Sequence, residues 1–256
     1  MVDHSSVVPT RDSVLFERFA GVAVVSLNNP AKKNAITPAL AERLVQVLDE
    51  IDRDGTIGAL VIKGVAGTFC SGADLSTLGA AMDDPATESS YAALDGIYQA
   101  FTRLGMMTMP TIAAVRGSAV GAGVNLAMAA DVRIVAQNAR FISGFAKLGL
   151  HPGGGHFQLL ARSSSREAAA AMGVFSQEIS GQRAADIGLA WESLDDGLVE
   201  DRALSIAERA GADPDLARKA VQSLHLTTTE AVPWATALQA ERAPQLWSLR
   251  RAVDHR

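Results

Sequence analysis

The chain holds 256 residues, 48% of them hydrophobic, enough to bury a sizeable core in one large domain or one domain with a small extension. Acidic side chains (28) outnumber basic ones (23), and the formal net charge of −5 argues against nucleic acid or an anionic membrane surface as main partner, while local cations can still meet a small anionic ligand. A single cysteine, Cys70, excludes an intrachain disulfide and fits a reducing compartment. The opening stretch has no apolar core of the signal-peptide kind, and no apolar run approaches the roughly 20 residues that span a bilayer, so a soluble, cytoplasmic protein is expected.

Val14–Phe19 and Val22–Leu27 read as two short strands around a turn at Ala20-Gly21, and Asn28-Asn29-Pro30 breaks the chain. Thr37-Pro38 opens a helix with an N-cap and a first-position proline, and Leu40, Leu44, Val47, Leu48 and Ile51 supply its apolar face. A short buried strand follows at 59–62, then a turn-rich segment at 68–75. Residues 79–90, small and polar with Asp83 and Asp84 adjacent, read as a mobile loop. A helical period covers 91–104, an apolar strand 111–115, a glycine-rich turn with Gly117, Gly121 and Gly123, a helix through Ala130, and a strand 132–135. From about Arg166 onward the pattern is almost wholly helical. Strands alternating with helices predict an α/β core over residues 1–190, followed by a helical C-terminal region over 191–256.

Four segments in order resemble the crotonase (enoyl-CoA hydratase/isomerase) superfamily: LNNPAKKNAIT at 27–37, GTFCSGADL at 67–75, RGSAVGAGVNLAMAADVRIV at 116–135 and FAKLGLHPGGG at 145–155. ISGQRAADIGLAWESL at 179–194 is similar to the family's helix and following turn. The resemblance implies a ClpP/crotonase-like α/β spiral of ββα units with a C-terminal helical trimerisation region, assembled as a homotrimer or dimer of trimers. It also implies an acyl-CoA thioester as ligand, with coenzyme A arriving as part of the substrate and no separate cofactor or metal.

Chemistry at a thioester carbonyl places negative charge on its oxygen, and one preorganised backbone donor there is worth roughly 3–4 kcal/mol. By the resemblance, those donors are the N–H groups of Ala73 and Ala122, an oxyanion hole. The glycines at 121 and 123 permit tight turns and close approach, and the following helix directs its N-terminus at the anion. Bland glycine turns between strand and helix are the competing reading. For coenzyme A, the resemblance points to Ala35, Cys70, Gly72, Asp74 and Leu75 through mainly backbone contacts. Lys32 or Lys33 either meets a phosphate or is simply solvated on its loop. Cys70 has no base-like neighbour in its motif and reads as packing.

The family pattern breaks where a hydratase carries its two glutamates. Asn125 and Phe145 occupy those positions; an amide is no carboxylate base near neutral pH, and a phenyl ring carries no proton. Losing one general acid/base forfeits about 10²–10⁴ in rate. His151 and His156 are acid/base candidates or packed or surface histidines. Ser143 has no activating partner visible in the sequence. Asp131 reads as structural, and Trp234 and Trp247 either cap the pocket or pack. The sequence therefore supports two readings: an enoyl-CoA hydratase/isomerase-like enzyme with changed acid/base groups, or a catalytically silent acyl-CoA carrier or sensor.

Overall fold

VLFERF and VAVVSL, rich in β-branched residues, form β1 (Val14–Phe19) and β2 (Val22–Leu27), paired antiparallel across a tight turn with Ala20 at φ 51°. The computed structural model describes residues 13–77, 87–228 and 232–254, the last without the side chains of 252–254. Next come α1 (Pro38–Arg53), β3 (Ala59–Gly64), α2 (Glu88–Gly105), β4 (Thr111–Val115), β5 (Ser118–Val120), α3 (Ala122–Ala129), β6 (Val132–Ala136) and β7 (Arg140–Ile142). The chain continues through α4 (His156–Ser163), α5 (Arg166–Gly173), β8 (Ile179–Ser180), α6 (Gly181–Asp186), β9 (Glu192–Leu194), α7 (Val199–Gly211), α8 (Pro214–Thr228) and α9 (Trp234–Asp254).

A six-stranded sheet runs β1-β2-β3-β4-β6-β9, parallel except for the β1–β2 hairpin. Every residue of β2 and β4 is buried, which explains their largely apolar runs: strands covered on both faces show no alternation. Helix α7 packs across β2, β3, β4 and β6. Arg116 ties its start to Asp196 and Glu200, and Lys63 also pairs with Glu200. The helices α1 to α5 stack in series: α1 on α2, α2 on α3, α3 on α4, α4 on α5.

A second, three-stranded sheet, β5-β7-β8, had no counterpart in the sequence reading, and neither did β9 or α4. The region beyond Arg166 is thus not wholly helical. Strands of two or three residues are too short to establish a period. The loop expected at 79–90 falls largely outside the described residues, Asp83 and Asp84 included. Glu88–Ser90 instead open α2, whose cap is Thr87 Oγ1 accepting from Ser90 N–H at 3.2 Å. Thr37 caps α1 in the same way, accepting from Leu40 N–H at 3.1 Å. Among the described residues no helix is long and apolar enough to cross a membrane.

All eight residues of α3 are buried. A side chain at Gly123 would put Cβ 2.4 Å from the Cys70 carbonyl oxygen, so helix and loop meet backbone to backbone. Gly123→Ala should therefore destabilise the fold by about 1–3 kcal/mol through overpacking. Gly96→Ala, mid-helix in α2 with nothing within 4 Å, should instead stabilise it by about 0.5–1 kcal/mol. Denaturant midpoints at constant slope would check both.

Candidate active site

Three segments converge on a cavity of about 950 Å³. The first is the turn after β3. Gly72 sits at φ +94°, and a Cβ there would lie 2.6 Å from the Val120 carbonyl oxygen and 3.6 Å from the Ala122 nitrogen, so only glycine allows this approach. Ile36 N–H donates to Gly72 O (2.7 Å) and Asp74 N–H donates to Ile36 O (3.0 Å). Ala73, between them, turns its own N–H to the opposite side. The second segment is the β5–α3 junction. Gly121 adopts φ 52°, ψ −112°, a conformation open essentially to glycine, and Ala122 opens the helix. Its N–H, one of the orphan donors of a helix start, has no preceding helical carbonyl to meet. Among the described residues, neither the Ala73 nor the Ala122 amide donates to a protein acceptor. The third segment is Ile142–Phe145, running out of β7.

The walls carry Lys32, Ala35, Gly72, Ala73, Asp74 and Leu75 from one side, and Ala122, Asn125, Ser143, Phe145 and His151 from the other. Two expected residues are not on the walls. Lys33, at φ 51°, closes the turn after Pro30–Lys32 and is exposed. Cys70 is fully buried: its N–H donates to Ser118 O, its carbonyl accepts from Val120 N–H, and burial pushes its thiol up to about 12. It packs, as its motif suggested. Trp234 and Trp247 do not reach the cavity either; Trp234 is exposed and Trp247 lies between Lys219 and Arg251, 4.7 Å from each.

At the mouth, Lys32 Nζ lies 2.8 Å from Asp74 Oδ1. The hydrogen bond from Lys32, then that from Ser76, holds the Asp74 carboxyl below its usual range. Asp74 is the one carboxylate on the walls among the described residues. His151 is exposed, with its Nδ1 2.7 Å from Pro152 O.

The deep end holds a connection that spacing alone could not show. Asn125 Nδ2 donates to Gly153 O (3.0 Å), which fixes the amide and turns Oδ1 toward His156 Nδ1 at 2.6 Å. An amide oxygen only accepts, so Nδ1 carries the proton. In the neutral ring Nε2 is then the acceptor, and Ser143 Oγ, 2.7 Å away, donates to it. All three side chains are buried, and the edge of Phe145 stands against the imidazole at 5.0 Å between ring centres. Burial drives the His156 pKa from 6.5 down to about 4, so the ring is neutral at physiological pH. Ser143 therefore does have a basic hydrogen-bond partner, thirteen residues away in sequence.

A second hollow, about 810 Å³, carries Asp131, Arg133 and His225, each already hydrogen-bonded within the protein. Asp131 accepts from the Thr111 N–H and hydroxyl (2.8 Å each) and meets His225 at 2.7 Å, a structural role. Arg133 donates to the carbonyls of Leu189 and Ala130.

A six-stranded and a three-stranded sheet, with helices between their strands and at the C-terminal end, make this a crotonase-fold protein. The enoyl-CoA hydratase/isomerase family model matches residues 17–246, and the chain belongs to that family. It is 39% identical over 203 residues to a probable enoyl-CoA hydratase of Mycobacterium tuberculosis, covering 79% of this chain and 77% of that protein. It is 31% identical over 240 residues to the 1,2-epoxyphenylacetyl-CoA isomerase of Escherichia coli, covering 92% and 89%. The crystal structure of an enoyl-CoA hydratase from Polaromonas sp. JS666 superposes with a TM-score of 0.85 at 28% identity, covering 93% of this chain and 92% of that one.

The buried imidazole also sets an acid limit. The unfolded chain binds a proton on His156 near pH 6.5 and the folded chain only near pH 4, so the unfolded state holds more protons between those values. Stability is full above pH 6.5 and falls by roughly 3 kcal/mol on the way down to pH 4. Urea unfolding across that window should show the loss, and His156→Gln should flatten it.

Proposed function

We propose that this cavity binds an acyl-CoA thioester, with the thioester oxygen held between the Ala73 and Ala122 amides as an oxyanion hole that stabilises an enolate. The observation that carries the reading is the pair of unpartnered N–H groups brought together by the Gly72–Val120 contact, at the wall of a cavity lined mainly by apolar side chains. The names of the relatives, a hydratase and an isomerase acting on CoA thioesters, support the same substrate class. Ala35, Gly72, Asp74 and Leu75 flank the pantetheine arm, and Lys32 meets a phosphate at the mouth. Coenzyme A is then part of the substrate and no separate cofactor takes part.

Asn125 and Phe145 stand at the positions of the usual hydratase glutamates, and Asn125 Oδ1 is occupied by His156. Two-glutamate hydration is therefore replaced by other acid/base chemistry, in an atypical enoyl-CoA hydratase/isomerase-like enzyme of the cytoplasm. A catalytically silent acyl-CoA carrier is the second reading, favoured by the scarcity of carboxylates on the walls. The region from about residue 191, with exposed Leu216, Leu224, Leu238, Leu246 and Leu249 on α8 and α9, supplies the surface of a homotrimer or dimer of trimers.

Calorimetric titration with acyl-CoAs of several lengths, paired with assays of enoyl-CoA hydration and double-bond shift, tests this. Binding with turnover is expected. Binding without any turnover would leave the carrier reading, and no binding would sink both. Ala122→Pro deletes the second amide at a helix position where proline fits, and should cut turnover about 10²–10³-fold with the melting temperature little changed.

A further inference from the structure

We propose that Ser143 is a nucleophile, activated by His156 and oriented through Asn125, and that the chain cleaves the acyl-CoA it binds by way of an acyl-serine intermediate. The inference rests on the reading of the cavity as a thioester site and adds a reaction that this reading does not contain. Three observations carry it.

The first is order. Hydroxyl, imidazole and amide form one chain, Ser143 Oγ to His156 Nε2 at 2.7 Å and His156 Nδ1 to Asn125 Oδ1 at 2.6 Å. The Asn125–Gly153 bond sets the amide, the amide sets the tautomer, and the tautomer leaves Nε2 free to take the serine proton. Nucleophile, base and a third group that orients the base are the parts that covalent acyl transfer needs, and the order recurs on unrelated folds.

The second is location. Ser143 is on the cavity wall and His156 lies behind it, so the imidazole reaches a bound ligand at the serine oxygen. A hydroxyl that has given its proton to nitrogen attacks a carbonyl carbon. It is a poor courier for removing a proton from carbon. The β5–β7 register pairs Val120 with Ile142, which sets Ser143 beside Gly121 across about 5 Å, the residue just before the Ala122 amide. Nucleophile and oxyanion donor thus lie just past the ends of neighbouring strands.

The third is shielding. His156 is 1% exposed and its flank is closed by Phe145, so no solvent competes with the Ser143 hydroxyl for Nε2.

The steps balance without a co-reactant other than water. Ser143 Oγ bonds to the thioester carbon as its proton passes to His156 Nε2, and the oxyanion rests on the Ala73 and Ala122 amides. Collapse breaks the C–S bond, and the thiol leaves with the proton from Nε2. Water then attacks the ester carbon and gives a proton to Nε2. Breaking the C–O bond returns that proton to Ser143 and releases a carboxylic acid.

The test uses the full chain with butyryl-CoA and octanoyl-CoA. A thiol reagent follows CoA release; Cys70, buried, is silent in that assay. Acid-quenched samples go to intact and peptide mass spectrometry, and every variant is titrated with both ligands by calorimetry. CoA release is expected, with an acyl adduct on Ser143. Ser143→Ala should abolish the adduct and lower release at least about 100-fold while the ligand still binds. Ser143→Cys should trap the acyl group as a protein thioester, a signature that a merely structural serine would not give. Asn125→Ala should lower kcat more than it changes KM. Binding without release or adduct, or a Ser143→Ala variant as active as the parent, would overturn this inference and leave the acyl-CoA site standing. No binding would overturn both.

Discussion

Everything at the site depends on backbone meeting backbone where the turn after β3 crosses β5 and the start of α3. Gly72 lies against the Val120 carbonyl, Gly123 lies against the Cys70 carbonyl, and Cys70 pairs with Ala119 in a single parallel bridge. Neither glycine has room for a methyl group. The contact is made of peptide groups that have already satisfied one another, so the two N–H groups left over at Ala73 and Ala122 are held by hydrogen bonds and by a wholly buried helix, rather than by side chains that can rotate. That is the form of preorganisation that electrostatic stabilisation of an oxygen needs, because little has to reorient when charge appears.

The chemistry around those amides centres on one imidazole. Asn125 turns its amide oxygen to His156, and the Phe145 ring packs edge-on against it. The two residues that the resemblance sets at a hydratase's glutamate positions thus contact the same ring. A carboxylate at either place would sit within reach of a buried neutral imidazole and would draw a proton onto it. An amide and a phenyl ring leave it uncharged and hydrogen-bonded to Ser143.

The fold was legible where the physics is local or the period is long. The β1–β2 hairpin, the capped α1 and strand β4 stand where the Ala20-Gly21 turn, the Thr37-Pro38 cap and an apolar run put them. The second sheet was not legible, because its strands are three, three and two residues long and their pairing is set by partners far away in the chain. The same distance hid the chain through His156. Ser143, His156 and Asn125 each stood out in sequence as isolated polar residues, and Ser143 lacked any visible partner. Only folding brings the start of α4 against both α3 and the end of β7. A signal was present nonetheless: three polar residues, two of them flanking a glycine-rich turn, all in segments otherwise destined for the core.

The ion pair between Lys32 and Asp74 has a further meaning for traffic at the mouth. The lysine already owns a counter-ion, and the whole chain is net negative by five charges. An anionic ligand of the proposed kind gains that lysine only by sharing it with a carboxylate that Ser76 also supports. Lys147 lines the same cavity, so the local charge opposes the net one, and screening within about 8 Å at physiological ionic strength leaves the local groups to decide. Holding such a ligand would then fall to the largely apolar interior, and the mouth would serve less as a magnet than as a counter-ion exchange.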